Sequence, residues 1–100
     1  MNTSEIAAAI ERIVTDVAVQ IKDDVVVAPF SKLHNDLGMD GLDLLEIEHA
    51  LNARFGITLD EDIDLRFSVA DLINLVTGRL REKAARETCA AAIKAAWEGR

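Results

Sequence analysis

The stretch DLGMDGLDLLEIEHALNARFG, residues 36–56, decides how the rest of the chain reads. Asp40 stands just before Leu42, Leu44, Leu45, Ile47, Ala50, Leu51 and Phe55, which recur at the three- and four-residue spacing of an α-helix. Aspartate is a favoured N-cap because its carboxylate accepts from the unpaired N–H groups of a first helical turn. Gly56 provides a left-handed stop at the other end. The spacing predicts a helix capped by Asp40 and ended near Gly56.

Upstream, Ile6, Ile10, Ile13, Val14, Val17 and Ile21 make one apolar helical face, with Thr3 or Ser4 as N-cap and Glu5 in the first turn. Residues 22–39 lie between the two helices. Pro29, Asn35 and Gly38 interrupt regular structure there, while Val25, Val26, Val27, Phe30, Leu33 and Leu37 serve as apolar anchors. Three consecutive valines suit a strand, yet no other segment offers it a partner, and an isolated strand is unstable. A long, pinned loop is expected instead.

Downstream, residues 60–64 are too acidic and too short for more than a turn or two of helix, with Leu59, Ile63 and Leu65 facing inward. Ser68, followed three residues later by Asp71, resembles a capping box, and Val69, Leu72, Ile73, Val76 and Leu80 continue from it along one face. The expected fold is all-α: a four-helix bundle over residues 1–80 with an additional helical extension over residues 81–100.

That extension is unusual in composition. Residues 81–98 are rich in Ala, Glu, Lys and Arg and contain no helix breaker. Gly78 costs about 1 kcal/mol relative to Ala, too little to stop a helix flanked so favourably. A single helix over residues 69–97 would be about 40 Å long, which exceeds a compact domain of this size. It should bend at Gly78 and fold back, or else project. The fold-back, giving a monomer, is favoured; a dimer formed through the tail is the alternative. Ala84, Ala91 and Ala95 form a small-residue stripe, Ile93 and Trp97 are the tail's large apolar groups, and Trp97 is expected to anchor it.

Composition bounds the function. One hundred residues, half of them apolar and 29% charged, make one soluble domain. No apolar run is long enough for a membrane span, and no secretory leader is apparent, so a cytoplasmic location is expected. The lone Cys89 cannot form an internal disulfide and reads as a small, buried or half-buried helix residue. Residues 1–78 hold 5 Lys/Arg against 15 Asp/Glu, whereas residues 79–100 hold 6 against 3. An acidic body with a basic tail disfavours nucleic acid and points toward basic surfaces on protein partners.

The motif Asp36-Leu37-Gly38-Met39-Asp40-Gly41-Leu42-Asp43, with Glu46 one turn on, resembles the acyl carrier proteins. That family carries Asp-Leu-Gly-x-Asp-Ser-Leu-Asp at the start of its second helix. The resemblance covers residues 5–78 and fails at one fixed position, where Gly41 replaces the serine that bears 4'-phosphopantetheine. It implies a carrier, not an enzyme, that presents thioester-bound acyl groups to fatty acid, lipid or secondary-metabolite biosynthetic enzymes. The implied partners are acyl-processing enzymes and a phosphopantetheinyl transferase with basic surfaces.

By the same resemblance, Asp40, Gly41 and Leu42 frame the arm, with the unpaired N–H groups of the helix N-terminus suited to its phosphodiester. Asp43, Glu46 and Glu48 would dock partners; Glu48 and His49 are placed on the outer helix face. Leu44, Leu45, Ile47, Leu51 and Ile63 would line an acyl pocket. Glycine has no nucleophile, so the chain cannot be charged at residue 41. A replaced serine, engineered or natural, and a non-carrying adaptor both remain open. Thr58, Ser68 and Thr77 stand at structural positions and are poor substitutes for it.

Other chemistry finds little footing. Asp36, Asp40 and Gly41 match positions 1, 5 and 6 of an EF-hand loop, but Gly38 and Ile47 stand at positions 3 and 12 where ligands are needed. No metal is therefore expected. His34 and His49 have no identifiable nucleophile or buried acid beside them.

Overall fold

The computed structural model describes residues 2–60 and 62–98, with side chains described through Ala85. Cys89, Ala91, Ile93, Ala95 and Trp97, for which the sequence suggested packing roles, have side chains outside that range. Three helices run through the described residues: α1 over Thr3–Ile21, α2 over Gly41–Phe55 and α3 over Val69–Glu98.

The cap of α1 is Asn2 rather than Thr3 or Ser4. Its side chain accepts from Glu5 N–H at 2.9 Å, and the Glu5 carboxylate accepts from Asn2 N–H at 3.3 Å. Glu5 lies three residues after Asn2, the spacing that a reciprocal capping box requires, and this selects the cap. Ile6, Ile10, Val14 and Val17 are buried along α1, as their periodicity implies. They meet Leu44, Ile47 and Leu51 of α2 and Val69, Leu72 and Val76 of α3 in one core. α1 packs against both other helices, whereas direct contact between α2 and α3 is slight.

The long loop between α1 and α2 is pinned by backbone bonds. Val69 N–H donates to Ser31 O at 3.0 Å and Ala70 N–H to Pro29 O at 2.8 Å. Ser68 and Asp71 bond reciprocally at 2.8 and 3.2 Å, completing the expected box. The first N–H groups of α3, which a helix cannot satisfy internally, thus all find acceptors. Leu33 and Leu37 anchor the loop in the core. Val26 and Phe30, expected to be anchors too, are instead 84% and 80% exposed. The stitching to α3 fixes the path of residues 29–33, within which Phe30 faces outward.

The expected fourth helix is absent among the described residues, and residues 62–64 are irregular. Local side-chain bonds hold the backbone in turns here instead. Asp62 accepts from Asp60 N–H at 3.1 Å, and Asp64 from Arg66 N–H at 2.8 Å. Asn52 clips Leu59 in both directions, accepting at 2.8 Å and donating at 3.2 Å. Ile57, Leu59 and Ile63 still face inward, wedged into the core.

The favoured fold-back is also overturned. α3 continues through Gly78 as one 30-residue helix. A single glycine among strong helix formers does not outweigh propagation on both sides. The extents are 61 × 24 × 18 Å and the radius of gyration is 16.4 Å, against about 13 Å for a compact chain of this length. The extension prolongs α3 instead of forming a separate helix.

Candidate functional site

The site is assembled where the pinned loop enters α2. Gly38 takes φ +69°, in the left-handed region open to glycine, and this turns the chain toward Met39 and Asp40. His34 Nδ1–H donates to Met39 O at 2.8 Å, which holds the turn shut. The Asp36 carboxylate accepts from Lys32 N–H at 2.7 Å. Met39 is fully buried, so the turn is tied to the core immediately before Asp40.

Asp40 caps α2 as the sequence indicated. One of its carboxylate oxygens accepts from Leu42 N–H at 3.0 Å and Asp43 N–H at 3.1 Å, while the Asp43 carboxylate accepts from Asp40 N–H at 3.0 Å. The backbone bond from Asp43 is the leading cause that holds the Asp40 carboxyl below the usual aspartate range. This geometry corrects the expectation of unpaired donors for a phosphodiester. Two of the first-turn N–H groups are already engaged by a carboxylate, and that negative charge opposes an incoming anion.

The titration of Asp40 has a sign. A depressed folded-state pKa adds stability above the unfolded value, and that stability is lost as pH falls through the folded pKa. Amide exchange at Leu42 and Asp43 is therefore expected to accelerate as pH is lowered below about 4, relative to the intrinsic rate at each pH. Asp40→Asn keeps a capping oxygen and should flatten that profile; a profile unchanged by Asp40→Asn would exclude Asp40 as its source.

Gly41 is the first residue of α2 and is exposed. A Cβ built on it meets nothing within 4 Å, so the position accepts a side chain without collision. Glycine itself supplies no nucleophile.

α2 sorts its residues by face. Leu44, Ile47, Glu48, Leu51 and Phe55 are buried, while Leu42, Leu45, Glu46 and His49 are exposed. Two expectations fail here. Glu48 is only 8% exposed, since it follows Leu44 by four residues and precedes Leu51 by three, which places it on the inner stripe. It does not stand on the outer face with His49. Leu45, expected to line an interior pocket, is 45% exposed because it follows Leu42 by three on the outer stripe. Leu44, Ile47, Leu51 and Ile63 are in the core, and Asp43 is half-buried in the cap. Among the described residues, no cluster of three or more His, Cys, Asp or Glu side chains is placed to hold a metal ion.

The outer stripe of Leu42, Leu45, Glu46 and His49 follows an i, i+3, i+4, i+7 pattern, the signal that could have separated Leu45 from the inner residues. Ile21 is 38% exposed and lies beside the turn before α2, its Cγ2 3.8 Å from the Cβ position of Gly38. Sequence reasoning missed the His34 latch, the burial of Glu48 and the place of Leu45 beside Leu42. The latch depends on a backbone carbonyl and leaves no trace in residue type.

The chain is 41% identical over 59 residues to a candidate mitochondrial acyl carrier protein of Schizosaccharomyces pombe. Its family resemblance is to acyl carrier proteins. The match covers 58% of this chain and 53% of the relative, so the chain spans about half the length of the curated relative it matches. No family model and no solved structure matches. The mitochondrial designation of that relative overturns the expected cytoplasmic location. The expectation rested on composition and the lack of an apolar run, which do not distinguish one aqueous compartment from another. Among the described residues, no helix is long and apolar enough to cross a membrane.

Proposed function

We propose that this is an acyl-carrier-like docking domain that uses the outer face of α2 to engage acyl-processing enzymes and bears no arm at residue 41. In this reading it is not a catalyst. The observation that carries the proposal is the pairing of exposed Leu42 and Leu45 with Glu46 on one stripe, beside a Gly41 with no nucleophile. Two apolar groups offer burial to a partner, while the carboxylate steers a Lys- or Arg-rich surface into register. The similarity to an acyl carrier protein supports acyl-processing enzymes as the partner class. Residues 1–80 are proposed as the docking body and residues 81–100 as an appended segment.

A second reading is that the position belongs to a carrier from which serine has been replaced. The open space around Gly41 favours it, since a serine would fit there. Such a carrier would present thioester-bound acyl groups in lipid or secondary-metabolite synthesis.

Docking is tested with a phosphopantetheinyl transferase as the basic partner, by titrating the chain as it stands, Glu46→Lys and Leu42→Ala. Each substitution is expected to weaken binding about 5- to 30-fold, equivalent to about 1–2 kcal/mol, and added salt should weaken the parent's binding. Equal affinity for all three proteins at low and high salt would leave the acidity as a solubility feature and overturn the docking face.

A further inference from the structure

We propose that the stretch of α3 just beyond Gly78 is a latch that holds the irregular segment over residues 56–64 closed on the core. This segment inserts Ile57, Leu59 and Ile63 into the core, and direct contact between α2 and α3 is slight. It has no helix or strand among its described residues. Such a segment has few cooperative backbone bonds of its own and belongs to the parts of a fold that open at lower free energy than the whole. What keeps it in place is therefore specific.

Two of its ties come from α3 after Gly78. The Arg79 guanidinium lies 3.3 Å from an Asp62 carboxylate oxygen, with the two side chains 38% and 32% exposed. One turn later, Lys83 Nζ donates to Gly56 O at 3.0 Å. Residues 79 and 83 are four apart, so both project from one side of the helix and grip the segment at two points. The Lys83 ammonium also meets the C-terminus of α2, where unpaired carbonyls carry partial negative charge.

Gly56 suits this grip in two ways. Its φ of +63° is the left-handed conformation that ends α2, and its missing Cβ would have stood 3.1 Å from Lys83 Nζ. The glycine therefore allows the close approach of the ammonium as well as the turn. A third tie, the Asn52 clip on Leu59, comes from α2 and stays in place when the α3 ties are removed. The latch accordingly controls how often the segment opens and leaves the bundle standing. It also gives the first turn of the basic extension a role that does not require a second copy of the chain.

The test is hydrogen exchange followed by mass spectrometry on the full-length chain, comparing the parent with Arg79→Gln, Lys83→Met and the double variant. Both replacements keep an apolar stem and good helix propensity, so loss of the charged tie is the main change. Peptides spanning residues 56–64 should exchange about 1.5- to 5-fold faster in each single variant, the range for partly exposed ionic ties, and faster still in the double variant. Peptides from residues 6–18 of α1 should be unaffected, and Lys83→Arg should restore most of the protection. Raising salt should accelerate the parent's segment toward the double variant's rate. Unchanged exchange over residues 56–64, or equal acceleration in α1 and the segment, would overturn the latch. None of these outcomes depends on whether the outer face of α2 docks a partner.

Discussion

Gly41→Ser, incubated with a phosphopantetheinyl transferase and coenzyme A, is expected to gain the mass of one phosphopantetheine arm, while the chain as it stands gains none. The effect is all-or-none because it depends on whether a nucleophile is present. The chemistry requires a hydroxyl at the first residue of α2, and the added Cβ meets nothing within 4 Å. Replacing a helical glycine also removes backbone freedom from the unfolded chain, so the variant should fold at least as well as the parent. Intact-protein mass spectrometry reads the result directly. Modification of the parent would show that another residue serves as the attachment point. Failure of the well-folded serine variant to react would mean that the surroundings of residue 41 do not present it to the transferase.

Leu51→Ala is expected to destabilise the protein by about 2–5 kcal/mol, whereas Leu45→Ala should change stability by less than about 0.5 kcal/mol. The two leucines lie on one helix, six residues apart, and the sequence treats them alike. Leu51 is fully buried in the core, so truncating it removes packing and leaves a cavity. Leu45 is 45% exposed and loses little. A small domain has a net stability of order 5–15 kcal/mol, so the first substitution consumes a large share of it. Urea denaturation followed by circular dichroism measures both. Equal costs for the two would contradict the division of α2 into an inner and an outer face.

The inner–outer division shows how far a sequence can be read and where the reading ends. The start and stop of α2 were legible because Asp40 and Gly56 act within a few residues: a carboxylate finds N–H groups two and three positions away, and a left-handed turn needs only its own backbone. The same holds for the box of Ser68 and Asp71. The apolar faces of α1 and α3 were legible because burial leaves a period of 3.6 in the residue types. The Asp36 to Asp43 motif and the absence of a nucleophilic side chain at Gly41 are properties of residue identity and needed no coordinates.

Other features were not legible in residue type, either because helix register overrode chemistry or because distant segments met. Glu48 resembles an outer residue by chemistry, yet its register on α2 carries it inward with Leu44 and Leu51. Phe30 resembles a core residue, yet the bonds from Val69 and Ala70 to Ser31 and Pro29 fix the stretch around it with its ring toward solvent. Local capping and periodicity were therefore determined by the sequence itself. The straight course of α3 through Gly78, the grip of Arg79 and Lys83 on residues 56–64, and the side of α2 left open to a partner were decided only by the tertiary structure, because each depends on which groups far apart in the chain come within bonding distance.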